Sequence, residues 1–443
     1  MKKLFALLLA LMMVASLLVS CTSISDEPPS TNDSQETPSG SNGSVGAPDN
    51  NSTGSESTSD SDNITDNTTY DGDGNDENED NTTNNNDTEN GGEVRPETPS
   101  EGLQFRVNKD GVTCTLVGIG TCTDTEIVIP STSPEGHKVT IVGIGAFQSC
   151  EQITSISIPN GVTTIENHAF RECSALVKIT IPESVNSIGE YAFRECSKLV
   201  NVSIPKTVSI LKYGSFYGCS SLTSISIPNG VTEIENDVFY QCSSLADVTM
   251  TSSVEEIGNC AFYQCSSLKK ITIPSGVTSI NTRAFASCTK LAEINLPNTI
   301  HTIGEQAFLN TAYFNNYDNR DADGSLYIGN HLIYGGNAQN IRQGTVSIAF
   351  GAFVERDNLT TIEIPDGVTC IGMEAFRQCK NLTSITIPNS VKEIKSAAFY
   401  GCNSLSTIHF NGTKSEWNNI VGNYWRGKAT ITVKCTDGDI TIE

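Results

Sequence analysis

The sequence predicts a β-rich solenoid: short strands with short helical or irregular returns, capped at both ends and preceded by a disordered tether. Three observations carry that expectation. Phenylalanines recur at Phe147, Phe170, Phe193, Phe216, Phe239, Phe262, Phe285 and Phe308, each 23 residues after the last, and the series resumes at Phe353, Phe376 and Phe399. A fixed period in this range marks a coil whose turns each contact only their neighbours. Each period also has the same internal order of strand, proline, turn and apolar return. Finally, composition changes abruptly near residue 100, so the coil does not begin at the N-terminus.

One period, generalised, is L-x-x-I-x-I-P-x-x-V-x-x-I-x-x-x-A-F-x-x-C. Ile225 and Ile227 lie on one side of a short strand because side chains alternate faces. Pro228 ends the strand, having no N–H to donate, and Asn229-Gly230 turns the chain. Val231 and Ile234 return aliphatic groups to the interior, Phe239 fills the widest part, and Cys242 closes the turn as a small apolar residue. A single period has too little core to fold alone; stacking makes the columns continuous. About twelve rungs at ~4.8 Å are expected, roughly 55–60 Å of stack.

These residues resemble the BspA-like bacterial surface leucine-rich repeats over about 145 to 410. The flanks are similar too: TLVGIGTCTDTEIVIPST resembles that family's entry, and GTKSEWNNI with VKCTDGDI its ending. The resemblance implies a leucine-rich-repeat solenoid in an exported surface protein, several members of which act in adhesion to host proteins or other cells. Met250-Thr251 in place of Ile-Pro, and Thr311 and Arg356 in place of the repeat cysteine, depart from the pattern and weaken single rungs.

The chain has 443 residues and a net charge of −24. Its first 20, MKKLFALLLALMMVASLLVS, have the basic start and apolar run of a secretory signal, too short for a stable span. Leu18-Val19-Ser20-Cys21 resembles the lipobox, in which Cys21 becomes the lipidated N-terminus; an ordinary cleaved signal with a chance cysteine is the alternative. Residues 22 to 100 hold 19 acidic residues against Arg95 alone, a net −18. So few aliphatic groups cannot offset the entropy of ordering, and the segment is read as a disordered acidic linker. No basic cluster points to nucleic acid, so the expected membrane contact is the N-terminal lipid alone.

Both ends of the coil carry cap signals. Leu103 to Val107 and Val112 to Val117 read as a hairpin around Asp110-Gly111. Thr413 and Glu416 have capping-box spacing before a short helix with Trp417 and Ile420. Ile431 to Cys435 and Ile440 to Ile442 flank Asp437-Gly438, a second hairpin. Trp417 and Trp425 are expected as lids on the core. Residues 309–345 break the repeat as an island, with a hairpin from Ser325 to Tyr334. Its tyrosines suit a partner surface, whereas Tyr313, Phe314, Tyr317, Tyr327 and Tyr334 are expected mostly to patch the core.

Chemistry-bearing constellations are missing. Asn319 to Gly324 imitates a calcium loop, but its twelfth position is Asn330, where a bidentate glutamate is required. Fifteen cysteines in an exported chain raise the question of disulfides. Those of the column (150, 173, 196, 219, 242, 265, 288, 379 and 402) point the same way, and a ladder of buried thiols is expected. Cys114 and Cys122 stand outside it, and the sequence leaves their pairing open. The five histidines share no spacing, and no nucleophile, zinc or phosphate motif occurs. No cofactor and no metal are expected, and the chain does not read as an enzyme.

The free positions are those between the two strand isoleucines: Ser157, Thr180, Ser203, Ser226, Thr249, Thr272, Asn295, Glu363, Thr386 and His409. Ser155, Lys178, Asn201, Ser224, Asp247, Lys270 and Glu293 flank them. This nearly flat, hydroxyl-rich face, with Tyr317 and Tyr327 of the island, is the candidate binding face. It suits host matrix or other cell-surface proteins, with glycans as the alternative ligand. The expected organisation is a lipoprotein signal at 1–20, the lipidated cysteine and linker at 21–100, and an N-terminal cap and first turn at 101–146. Repeats at 147–308, the island at 309–345, repeats at 346–410 and a C-terminal cap at 411–443 follow, in a chain anchored at the bacterial cell envelope.

Overall fold

The computed structural model describes residues 98–443 except 423, 428 and 429. The signal, Cys21 and the tether up to residue 97 lie outside the described residues. The described chain is a solenoid of about 14 turns, more than the roughly twelve rungs expected, because caps and island extend the ladders.

Two parallel strand ladders run along the coil. The first is made by the L-x-x-I-x-I segments, as in Ser224–Ile227 paired with Asp247–Met250. The second is made by two-residue strands at V-x-x-I, as in Glu233–Ile234 between Ile210–Leu211 and Glu256–Ile257. A turn joins them. The Val185 and Val208 N–H groups donate to the carbonyls of Pro182 and Pro205 (3.0 and 3.1 Å), so the proline that ends each strand also closes the turn after it.

The third side has no strand and no helix. Cys173 N donates to Phe170 O and Leu176 N to Cys173 O (3.2 and 3.0 Å), one turn running into the next. Meanwhile His168, Phe170 and Glu172 send their N–H groups to Glu190, Ala192 and Arg194 of the following turn (2.9, 2.8 and 2.7 Å). To aim alternate N–H groups along the axis, the residues two before and two after the phenylalanine take left-handed conformations, as at His168 (φ 59°) and Glu172 (φ 62°). Of the two kinds of return the sequence allowed, helical or irregular, the repeats use turns. The α-helices among the described residues, Ala312–Asn315 and Lys414–Ile420, lie in the island and the C-terminal cap.

The core is columnar. Successive phenylalanine rings from Phe147 to Phe308 and from Phe353 to Phe399 stack with centroids 5.0–5.6 Å apart and planes within 19°. All the described cysteines are free thiols. Cys114 and Cys122 are therefore unpaired; the Cys114 thiol donates instead to the His137 carbonyl at 3.4 Å.

Both ends are covered. Gln104–Val107 pairs antiparallel with Thr113–Gly118, which continues in parallel into Lys138–Val142. The Asp110 carboxylate accepts the N–H groups of Val112 and Thr113 and the Thr113 hydroxyl, which holds the hairpin turn. At the other end the Thr413–Glu416 capping box starts its helix. Trp425 meets the last ring of the stack, Phe399, edge-on at 5.9 Å, and Trp417 meets Trp425 at 5.6 Å. Both indoles are buried lids. Ile431–Cys435 and Gly438–Ile442 close the sheet as an antiparallel hairpin.

The island keeps the ladder and loses the ring. Leu326–Ile328 and His331–Tyr334 form the expected hairpin, and His331–Tyr334 pairs in parallel with Ser347–Ile348. Gly335 N donates to Ala352 O at 2.7 Å, the bond a repeat phenylalanine makes. Phe353 lies over Gly335 so closely that an added Cβ would sit 2.3 Å from its ring. A glycine thus interrupts the phenylalanine stack.

Candidate binding faces of the solenoid

The first ladder positions the outward column. Ser157 stands opposite Thr180, Ser226 opposite Thr249, Thr272 opposite Asn295, and Glu363 opposite Thr386, which is followed by His409. Ser157 and Thr386 are half-buried and the other residues of the column exposed, because the flanking isoleucines face the core. Among the described residues one side-chain hydrogen bond runs along this column, from Asn295 Nδ2 to Thr272 Oγ1 at 3.4 Å. Beside it, Lys270 pairs with Glu293 at 2.6 Å; that hydrogen bond, aided by the charge, lowers the Glu293 carboxyl below its ordinary pKa.

The face is less continuous than the sequence suggests. Ser203 is exposed but lies in no strand, and its rung touches the ladder through a single bridge, Lys178 to Asn201. Ile204 is buried and Val202 half-buried, so packing holds this rung where strand pairing lapses. The hydrogen-bonded face is divided into separate sheets, at this rung and again between Asp247–Met250 and Lys270–Thr272.

The two island tyrosines part company. Tyr317 is 69% exposed, whereas Tyr327 is 6% exposed and cannot serve as a contact residue on the surface. The Tyr327 hydroxyl accepts the Arg342 N–H at 3.1 Å, its carbonyl accepts the Tyr313 hydroxyl at 2.9 Å, and the Arg342 guanidinium covers its ring at 4.1 Å. It takes the part of a missing core residue. Tyr334 lies within 5.1 Å of the Arg320 guanidinium and 4.6 Å of that of Arg356, which ties the island to the repeats that follow. The Asp323 carboxylate accepts the Ser325 N–H and hydroxyl at 2.9 and 2.6 Å, and the Asn330 amide reaches Asn298.

One constellation escaped the sequence reading. His168 stacks on Tyr191 at 5.5 Å, the Arg194 guanidinium lies 5.3 Å from Tyr191 and 4.9 Å from Tyr217, and Tyr217, Tyr240 and Tyr263 stack in series at 4.6 and 4.9 Å. Burial, helped by Arg171, lowers the His168 pKa, and burial raises that of Glu195. The signal was legible: the position after each phenylalanine reads Arg171, Arg194, Tyr217, Tyr240, Tyr263 at the repeat period.

A family model described as the BspA type leucine rich repeat region, in six copies, matches residues 122–242, 209–322 and 346–423. That is more than half of the chain. The chain belongs to the BspA-type leucine-rich repeat family.

Among solved structures it is similar to a leucine-rich repeat protein from Bacteroides ovatus, with 26% identity, 74% of this chain and 98% of that one covered, and a TM-score of 0.47. A leucine-rich cell surface protein from Faecalibacterium prausnitzii is similar at 28% identity, with coverages of 73% and 97% and a TM-score of 0.42. A leucine-rich repeat protein from T. pallidum matches at 22% identity, with coverages of 59% and 90% and a TM-score of 0.36. No curated protein matches the chain. In this BspA-type chain the invariant positions build the coil, and the outward column, the aromatic strip and Tyr317 are what vary on its surface.

Proposed function

We propose that this chain is a lipid-anchored, surface-exposed bacterial protein whose leucine-rich repeats bind other proteins, in adhesion to a host or to other cells. One observation carries the reading. Apart from Ser203, the outward column from Ser157 to His409 is presented by strands whose main-chain groups are engaged in ladders, while its side chains bond little to one another. Such a face meets a partner without first being ordered, which lowers the entropic cost of association. Family membership supports a repeat scaffold for binding over a catalyst. Cys21 is the proposed lipid attachment, and the acidic segment after it the tether that holds the repeats off the envelope. Tyr317 adds an exposed aromatic ring of the type that anchors interfaces.

The test is to immobilise the full chain and pass host matrix proteins and partner cells over it. Binding is expected, and Thr249→Arg with Thr272→Arg is expected to weaken it by tenfold or more through lost complementarity, about 1.4 kcal/mol. Binding that ignores both substitutions removes the strand face from the proposal, and no binding across a wide panel removes adhesion.

A further inference from the structure

On the third side of the coil, a groove of about 520 Å³ runs along the axis between two columns of side chains. One column holds the left-handed residues after the phenylalanines, including Gln241, Gln264 and Asn310; the other follows the cysteines and includes Ser243, Ser266 and Thr289. Every lining residue carries an amide or a hydroxyl, and none is charged or apolar. That neutrality is local, since residues 101–443 hold 24 basic and 32 acidic side chains, a net −8. It is also bounded. One turn before the groove the same column holds Gly218 with the Glu195 carboxylate packed against it, and after Asn310 the short helix Ala312–Asn315 begins.

The hydrogen bonds already made decide what remains on offer. The Ser243 and Ser266 hydroxyls donate to the carbonyls of Ser220 and Ser243, one turn back, at 3.4 and 3.2 Å. Toward the groove these hydroxyls therefore act as acceptors. Gln241 Nε2 donates to Gln264 Oε1 at 2.8 Å, which leaves the Gln241 carbonyl oxygen as an acceptor and the Gln264 amide nitrogen as a donor. Asn315 occupies the carbonyl oxygen of Asn310 at 3.0 Å, leaving that amide nitrogen to donate. Donors and acceptors thus recur at the pitch of the coil, about 4.8 Å per turn, close to the length of one pyranose ring.

We propose that this groove binds a neutral, unbranched glycan lying along the solenoid axis, with about one sugar unit per turn. Sugar hydroxyls both donate and accept, which matches this lining. A peptide would require an apolar or charged anchor pocket, and an anionic polymer would require cations; the groove supplies neither. The site shares no residue with the strand face, so it stands or falls separately from the protein-binding proposal.

Titration of the full chain by calorimetry and ligand-observed NMR tests this, using neutral tetrasaccharides of glucose and mannose in different linkages and an oligogalacturonate as the anionic comparison. At least one neutral tetrasaccharide is expected to bind in the millimolar range or tighter. Ser243→Tyr, which blocks the groove, and Gln264→Glu, which removes a donor, are each expected to weaken it about tenfold with unfolding temperature unchanged. Glutamate already occupies the same left-handed position at Glu172 and Glu195, and Ser266→Tyr provides a second block. Failure of every neutral tetrasaccharide at about 10 mM, binding of the anionic chain alone, or binding that survives the groove variants overturns the proposal. So does loss of sugar binding in Thr249→Arg, which would place the sugar on the strand face.

Discussion

The Cys219 thiol donates to the carbonyl oxygen of Phe193, one turn back, at 3.2 Å. The same bond joins Cys173 to Phe147, Cys242 to Phe216, Cys288 to Phe262 and Cys402 to Phe376, at 2.9 to 3.3 Å. The cysteine column is thus a row of weak donors stitching each turn to the one before, as well as a small-residue packing column.

Cys219→Ala removes the donor and leaves a small cavity. Because the Cys196 N–H also reaches the Phe193 oxygen, no buried carbonyl is orphaned. The expected loss is about 1–2 kcal/mol by urea denaturation. A change within about 0.3 kcal/mol would remove the thiol from any role beyond filling space.

The same burial sets a response to alkali. Desolvation pushes Cys173 and Cys370 up to about 12 and raises Cys196 and Cys219 well above their ordinary value. A folded-state pKa above the unfolded one contributes stability that is whole below the unfolded thiol pKa, about 8.5, and is lost as pH rises from there toward the folded value. Denaturation midpoints are expected to fall between pH 8 and 10.5, and a thiol reagent at pH 8 to label these cysteines only in unfolded chain.

The island answers to acid. His331 is fully buried, one ring nitrogen 2.8 Å from the Ser347 hydroxyl and the other 3.0 Å from the Pro297 carbonyl. Burial lowers its pKa, with the Pro297 bond opposing and His301 adding a little. A depressed folded-state pKa means that stability is whole above the unfolded histidine pKa, about 6.5, and is lost as pH falls below it. Hydrogen exchange across residues 309–345 is expected to rise more between pH 7.5 and 5 than the change of intrinsic rate explains, and His331→Gln to remove that excess. Equal pH dependence in the variant would dissociate His331 from the effect.

Left-handed positions distinguish substitutions that contacts do not. Glu355 is exposed with φ 59°. Glu355→Gly is expected to be neutral or mildly stabilising, and Glu355→Val to cost about 1–2 kcal/mol, because a β-branched residue resists that conformation. Equal melting temperatures for the two would contradict it.

Truncation of a stacked ring tests the columnar core. Phe239→Ala, in mid-stack, is expected to cost about 3–5 kcal/mol. Because each turn rests on its neighbours, the loss is expected to split the melting curve into separate transitions for the two flanking blocks.

Much of this was legible beforehand because a repeat shows its columns directly. Leu222, Ile225, Ile227, Val231, Ile234 and Phe239 are buried where the period put them, and both hairpins, the capping box and the tryptophan lids fall where turn chemistry indicated. The left-handed residues were less visible, since Glu172, Ser287 and Asn310 share a backbone conformation and no side-chain chemistry. Tyr327 was read both as a core patch and as part of the binding face; its burial beneath Arg342 fits the first, and the polar sequence around it did not distinguish the two. Ser203 followed the pattern, yet its rung joins the ladder only through the Lys178–Asn201 bridge, which residue identity does not encode.

By itself, then, the sequence determined the coil: its period, the residues inside, the ends that need covering and the positions left outward, because burial of apolar columns depends on spacing alone. The tertiary structure decided what each surface offers. Gly335 beneath Phe353, Arg194 over Tyr217, and the amides flanking the neutral groove are relations between residues on successive turns. Contacts of that kind depend on distance and direction across the stack, which come into being only when one turn lies on the next.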